Sequence, residues 1–267
     1  MTFFIQMVVT GIVVGSIYGL VALGFVLIYR ASDVLNLANG EFVMIGAYIA
    51  ITLITVLKLP FIVAMLLTLV LSAVLGVVVE KVILGPLRNA PTISVIMATI
   101  GLSSLLAGAV HMIWGHKTRQ FPSVFPAEPY RFGEVVIQSV YLWSFVIVMA
   151  LLVVFSLFFK FSKMGIAMRA AADDQQAAMS MGMSVKMIYA VTWIIAAVVA
   201  AVGGVLLGHI NGVNANMSVI GLTVLPVVIL GGLDSVLGAI VGGFIIVLLI
   251  LMIKPHGLFG KGGIERV

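Results

Sequence analysis

The chain has 267 residues, of which 63% are hydrophobic and only 9% charged, with a net charge of +5 and a mean hydropathy of +1.31. Soluble domains carry roughly 25% charged residues, so a fold this apolar has no surface to show water, and the composition identifies an integral membrane protein. The lack of cysteine excludes a disulfide framework, a thiolate metal site and a thiol nucleophile.

The apolar runs are continuous, which excludes the period-two pattern of a β-barrel. At roughly 20 residues per span they allow about eight helical crossings. The expected fold is an all-α polytopic membrane protein, one transmembrane domain over residues 1–267. Its basic residues are scattered among short loops, which fits positive-inside topology and not nucleic-acid binding.

The first span is expected at Phe3 to Tyr29, stopping at Arg30. No basic residue follows Met1 and the apolar run is too long for a signal-peptide core, so the segment is expected to be retained. Gly11, Gly15, Gly19 and Gly24 give it small-xxx-small spacing, which predicts close packing against neighbours in its own chain.

Asp33, Asn36, Asn39 and Glu41 then crowd between two apolar runs, before a second span at Phe42 to Leu57 that is only 16 residues long. Two readings are open. The helix begins earlier and carries Asn36 to Glu41 into the membrane region, where polar backbone survives only against protein or a water-lined cavity, or these residues form an interfacial loop.

A turn at Lys58 and Pro60 leads to a third span, Phe61 to Val79, and a basic loop holding Glu80, Lys81 and Arg88. The fourth span is Thr92 to Ile113. Residues 115–138, with Pro122, Pro126 and Pro129, are the longest non-helical stretch, flanked by aromatic residues of an interfacial belt. The fifth span is Ser139 to Phe159.

The polar interval from Lys160 to Lys186 is the longest that reads as helical. Asp173 with Gln176 has capping-box spacing, Gly182 is a C-terminal stop and Ser184 an N-cap for the next span. Asp174 to Met181 therefore predicts a helix of two turns, roughly 12 Å long, and Ala170 to Ala172 suggests another short helix before it. The alternative is a solvated helix lying on the membrane surface.

The sixth span, Met187 to Gly208, ends in a polar cluster of His209, Asn211, Asn214, Asn216 and Ser218. A broken pair closes the membrane part: Val219 to Leu230, a polar turn with Asp234 and Ser235, then Val236 to Ile253. The tail from Lys254 is basic. Asn39-Gly40-Glu41 and Gly232-Leu-Asp234-Ser235 share a design, an apolar helix interrupted by glycine and a carboxylate. Paired broken helices predict an inverted repeat with the translocation path at the repeat interface, here Asn36, Asn39, Gly40, Glu41, Asp234 and Ser235. The basic loops 81–88 and 160–186 are placed in the cytoplasm, with 115–138 outside. Strict alternation then puts the basic tail outside, so one broken segment is expected to be re-entrant.

No metalloprotease, serine-hydrolase or phosphate-loop motif is present. His111 and His116 are five apart and lack helical metal-ligand spacing. No metal, cofactor or catalytic activity is expected. A coupled carrier keeps ionisable groups deep in its helices, whereas Glu41 and Asp234 read as span ends. A passive channel and a permease driven by a separate ATPase remain, and the capped polar segment favours the second.

Five stretches carry a family resemblance: Gly15-Ser-Ile-Tyr-Gly-Leu-Val-Ala-Leu-Gly24, Asn36-Leu-Ala-Asn-Gly-Glu-Phe42, Gly165-Ile-Ala-Met-Arg-Ala-Ala-Ala-Asp-Asp174, Leu230-Gly-Gly-Leu-Asp-Ser-Val-Leu-Gly-Ala239 and Pro255-His-Gly-Leu-Phe-Gly260. In this order the chain resembles the permease subunits of binding-protein-dependent branched-chain amino acid ABC importers. The resemblance implies a multi-pass protein of the bacterial inner membrane. It implies that Arg169, Asp173, Asp174, Gln176 and Gly182, within residues 160–187, form the segment that docks on cytoplasmic ABC ATPase subunits, where hydrolysis resides. It further implies pairing with a second, homologous permease, and a periplasmic substrate-binding protein that meets residues 115–138. Relatives of this family carry urea, short amides or aromatic acids, and these cargos stay open, as does a stand-alone channel.

Overall fold

The computed structural model describes residues 2–245, except 89, 123, 127, 133, 134, 234, 236 and 237. Its helices are α1 (Thr2–Ser32), α2 (Asn39–Thr55), α3 (Phe61–Val79), α4 (Thr92–Trp114), α5 (Ser139–Phe161), α6 (Lys163–Asp173), α7 (Gln175–Ser180), α8 (Val185–Asn211) and α9 (Val219–Gly231). A further helical stretch covers 238–245. Two three-residue strands, β1 (Tyr130–Phe132) and β2 (Val135–Ile137), pair antiparallel between α4 and α5.

Five helices, Ile5–Ser32, Phe61–Leu87, Thr92–Trp114, Ser139–Phe161 and Val185–Asn211, are long and apolar enough to cross a membrane, and Asn39–Thr55 and Ala215–Gly231 are shorter apolar helices. The protein is an all-α polytopic membrane protein. The last expected span, Val236 to Ile253, and the tail motif Pro255 to Gly260 lie largely or wholly outside the described residues.

The core is built on α1 and α8. α8 packs along α1, α2 and α3, and both central helices are buried over most of their length. By contrast α3, α4 and α5 present long apolar faces outward, such as Ile62, Leu66, Val70 and Val74 on α3. Lipid is as apolar as these side chains, so such faces need no protein cover.

Small residues set the close approaches. A Cβ on Gly24 would sit 3.5 Å from the Ala196 carbonyl, and one on Gly76 only 2.6 Å from that of Trp193. Gly15 and Gly19 pack on the backbone of 240–244. The expected small-residue spacing of α1 thus serves packing within the chain.

α2 and α4 run side by side in one direction. Three hydrogen bonds, Leu37 N to Thr99 Oγ1, Ser103 Oγ to Glu41 Oε1 and Trp114 Nε1 to Thr52 Oγ1, all join residues 62 apart in sequence. At the far end of α8, Arg119 and Val213 form an isolated antiparallel bridge, and the Phe121 ring stacks on His209 at 4.0 Å. The loop 115–138 therefore folds over the C-terminus of α8.

One open reading is decided and one expectation is corrected. α2 begins at Asn39, as the reading of an earlier helix start has it, so Asn39, Gly40 and Glu41 are its buried first turn. The expected basic loop after α3 is helical: a π turn, Glu80–Leu84, and a 3-10 turn, Gly85–Leu87, prolong that helix. The expected match of the early break, Gly232 to Ser235, includes Asp234, which lies outside the described residues. The structure builds 33–38 like 212–218: each follows a long central helix and precedes a short one. Asn36 Oδ1 accepts from Ala38 N at 3.1 Å, and Asn214 Oδ1 accepts from Asn216 N at 3.0 Å. The break at 231–235 lies at the opposite end of α9 from Gly221, about 15 Å away at 1.5 Å per residue.

Candidate functional site

The early break carries the deepest polar groups. α1 stops at Ser32, and Asp33 takes a left-handed φ of +53°, a conformation that Asp and Asn tolerate better than most residues. The chain then re-enters the bundle. Asn36, Asn39 and Glu41 are 1%, 0% and 6% exposed, so protein packs around this polar stretch on nearly every side.

Their hydrogen bonds are incomplete. Asn39 Nδ2 donates to the Val21 carbonyl at 3.4 Å, and Glu41 Oε1 accepts from Ser103 Oγ at 2.7 Å. Asn36 Nδ2, Asn39 Oδ1, Glu41 Oε2 and Tyr48 Oη have no partner among the described residues. A buried polar group without a partner costs free energy. Such groups persist in a membrane bundle where water or a passing solute answers them. The first N–H groups of α2, also unpaired within their helix, add a positive end beside them.

Asn36 also lines a cavity of about 390 Å³, whose other walls come from the ends of α1, α3, α4, α6 and α8. Arg30, Asp33, Glu80, Arg88 and Asp173 supply its charges. Arg88 forms an ion pair with Glu80, held on the π turn, and its guanidinium lies over the Tyr189 ring at 5.2 Å from the centroid. Mid-helix π turns recur at functional sites. The cavity joins two groups of expected residues, since Asn36 belongs to the break and Asp173 to the polar segment.

That segment is two short helices, each started by a side-chain cap and the second closed by a glycine stop. Ser162 Oγ accepts from Gly165 N at 2.9 Å to start α6. Asp174 Oδ1 accepts from the N–H groups of Gln176 and Ala177, each at 2.9 Å, to start α7. The N-cap is thus Asp174 and not Asp173. Asp173 ends α6, so its spacing to Gln176 straddles a helix boundary. Gly182, at φ +82°, closes α7. Its N–H donates to the Met179 carbonyl at 2.9 Å and that of Met183 to Ala178 at 3.1 Å, the paired bonds of a Schellman stop. Ser184 Oγ accepts from Met187 N at 3.4 Å to start α8.

Arg169, Asp173, Asp174, Gln176 and Gly182 are all exposed. Met179 and Met181 stand beside them, Met181 being 80% exposed. Ser235 is not brought to the Asn36–Glu41 group; it is exposed, and its Oγ accepts from Gly238 N at 2.9 Å. Asp234 lies outside the described residues. Sequence reasoning passed over Thr99, Ser103 and Tyr189. The hydroxyls look like ordinary small residues of an apolar span, and only the parallel register of α2 and α4 gives them meaning.

The family model described as the branched-chain amino acid transport system permease component matches residues 7–255. The chain is 30% identical to the high-affinity branched-chain amino acid transport system permease protein BraD of Pseudomonas aeruginosa, covering 99% of this chain and 98% of that one. It is 28% identical to the LivH permease protein of Escherichia coli K12, with the same coverage. Against the probable LivH of Methanocaldococcus jannaschii it is 29% identical over 90% of this chain and 78% of that protein. No solved structure matches the chain.

Proposed function

The chain belongs to the family of branched-chain amino acid transport system permease components, and from that membership we propose that it forms half of the import pathway of an ATP-driven importer for branched-chain amino acids. A second, homologous permease supplies the other half. Cytoplasmic ATPase subunits hydrolyse ATP and dock on residues 160–187, and a periplasmic binding protein delivers cargo to the loop 115–138. The assembly sits in the inner membrane.

One observation carries the reading: the capped α6–α7 pair walls the same cavity as Asn36. A lever transmits motion only if it does not bend, and side-chain caps at the starts of α6 and α7 with a Schellman stop at the end of α7 stiffen this one. Exposed Met179 and Met181 give it adaptable apolar contacts for an ATPase groove. Displacing the pair on ATPase closure would shift the walls next to Asn36, the kind of rigid-body rocking that alternates access. The path itself runs past Asn36, Asn39, Gly40 and Glu41. Asp234 is the remaining candidate, and Ser235 caps the helical stretch that follows it.

Copurification tests the proposal. A tagged chain, gently solubilised, is expected to bring a second hydrophobic permease and ATPase subunits. Scrambling Arg169 to Gly182 should release the ATPases and leave the permease pair. A lone homo-oligomer would instead establish a channel.

A further inference from the structure

We infer that the corner where α1, α5 and α6 meet binds the headgroup of an anionic phospholipid in the inner leaflet. The inference rests on the importer reading only in placing α6 and α7 on the cytoplasmic side. It divides the polar segment, with α6 turned to the bilayer and α7 to the ATPase.

The corner is basic. Lys160 lies in the last turn of α5, Lys163 opens α6, and Arg169 follows six residues on; all three are exposed. Arg30, in the last turn of α1, shares a notch with Arg169 that Leu27, Phe159 and Met168 help to wall. Among the described residues no carboxylate lies within ion-pair distance of any of these four cations. Asp173, the acid of α6, is four residues beyond Arg169, about 6 Å along the helix.

Its position makes the corner lipid-facing. Val146, Val153, Leu157 and Phe161 form an exposed apolar face along α5, which lipid can cover at no cost. Ser162 alone joins α5 to α6. A Cβ on Gly165 would lie 2.6 Å from the Phe158 carbonyl, so α6 is held hard against the end of that span. Ile166 is 47% exposed and stands three residues from both Lys163 and Arg169, on the same face of α6. Phe161 is 67% exposed, with Lys160 Nζ 5.4 Å from its ring centroid. Apolar side chains here enter the edge of the hydrocarbon, and the basic groups beside them meet phosphate.

The chemistry narrows the ligand. A zwitterionic headgroup brings its own ammonium to four cations, whereas an anionic one leaves its phosphate charge uncompensated. Arginine pairs well with phosphate. The notch holds about 20 Å³, room for one water-sized group, so a phosphate enters by one oxygen and not whole. An acidic ATPase groove would answer the charges, but would have to displace lipid from Leu157 and Phe161, which continue the face of the span.

The test uses the permease, co-expressed with its partner permease and purified in detergent. Dioleoylphosphatidylglycerol is titrated in while the thermal midpoint is followed. A saturable rise is expected, absent with dioleoylphosphatidylcholine and with inorganic phosphate. Lys163→Gln combined with Arg169→Gln should weaken the apparent affinity about fivefold for each charge removed. Both residues are exposed, so the midpoint without added lipid should match wild type. Lys81→Gln, which removes an exposed charge at the end of lipid-facing α3, should keep wild-type affinity. An equal response to phosphatidylcholine, saturation by inorganic phosphate alone, or the same loss in Lys81→Gln would overturn the site, the last by showing diffuse surface charge. ATPase copurification separates the readings. A double variant that sheds the ATPase and keeps its phosphatidylglycerol affinity makes the corner an ATPase contact and overturns the lipid site. Phosphatidylglycerol binding by a chain that brings no ATPase keeps the lipid site and removes the importer, while ATPase capture without lipid preference does the reverse.

Discussion

Gly40 and Gly221 meet backbone to backbone. A Cβ on Gly40 would lie 2.9 Å from Gly221 N, and one on Gly221 would lie 2.6 Å from Gly40 N. The first turns of α2 and α9 therefore touch, each just after a break made by an asparagine. The Asn36 carbonyl accepts from Asn39 N at 3.3 Å and the Asn214 carbonyl from Met217 N at 3.2 Å, alongside the matching side-chain bonds. Two like-built breaks whose short helices start against one another fit the proposed internal repeat with a path at its interface.

Alanine at position 40 should separate these helices. Overpacking against backbone costs about 1–3 kcal/mol, so Gly40→Ala is expected to lower the thermal midpoint of the detergent-solubilised permease and to cut uptake. Gly101 is the control, because a Cβ there meets nothing within 4 Å. Gly101→Ala should leave the midpoint unchanged. Equal midpoints for all three proteins would show that the Gly40 contact does not hold the break closed.

Much of this was legible in the sequence. Continuous apolar runs gave the membrane class, and most expected long spans agree with the helices to within a few residues. Gly182 and Ser184 were readable as stop and cap because their chemistry is local. Misreadings arose where tertiary packing decides. Asp173 and Asp174 are adjacent and chemically identical, and only the φ, ψ of the junction selects the second as cap. The polar run Glu80 to Arg88 reads as loop, yet the Glu80–Arg88 pair and the Tyr189 ring let the helix continue. The likeness of the asparagine turns at Asn36 and Asn214 escaped the sequence, because it lies in side-chain bonds to the backbone two residues on.

The cap assignment separates two neighbouring carboxylates. Losing an Asp N-cap to alanine costs about 1 kcal/mol, so Asp174→Ala should fray α7 and reduce cargo-stimulated ATPase activity of the complex, with Asp174→Ser restoring it. Asp173→Ala removes no cap and should leave stimulation closer to wild type. The reverse ranking would return the capping role to Asp173.

Gly182 is exposed and meets no side chain, so its requirement is conformational. An L-residue in the left-handed region costs about 1–2 kcal/mol. Gly182→Ala should weaken the stop of α7 and lower stimulated ATPase activity, and Gly182→Asn should do so less. Membrane insertion and basal assembly should be unaffected, as read by the yield of the permease pair. Full stimulation in Gly182→Ala would mean that α7 need not end sharply to couple.

Glu41 offers the sharpest test of the path. One carboxylate oxygen takes the Ser103 hydroxyl at 2.7 Å and the other has no partner among the described residues. Glutamine keeps an oxygen for Ser103, preserves the size of the side chain and removes the charge. If the free oxygen meets the cargo ammonium or the water around it, Glu41→Gln should lower uptake roughly tenfold, the loss expected for a charge-assisted hydrogen bond. The thermal midpoint should hold, since the Ser103 bond survives. Ser103→Ala strands Oε1 without its donor and should lower the midpoint as well. Asn39→Leu should resemble Glu41→Gln in uptake if both face the same path. Unchanged uptake in Glu41→Gln and Asn39→Leu together would place the path elsewhere in the bundle and leave these two residues as packing.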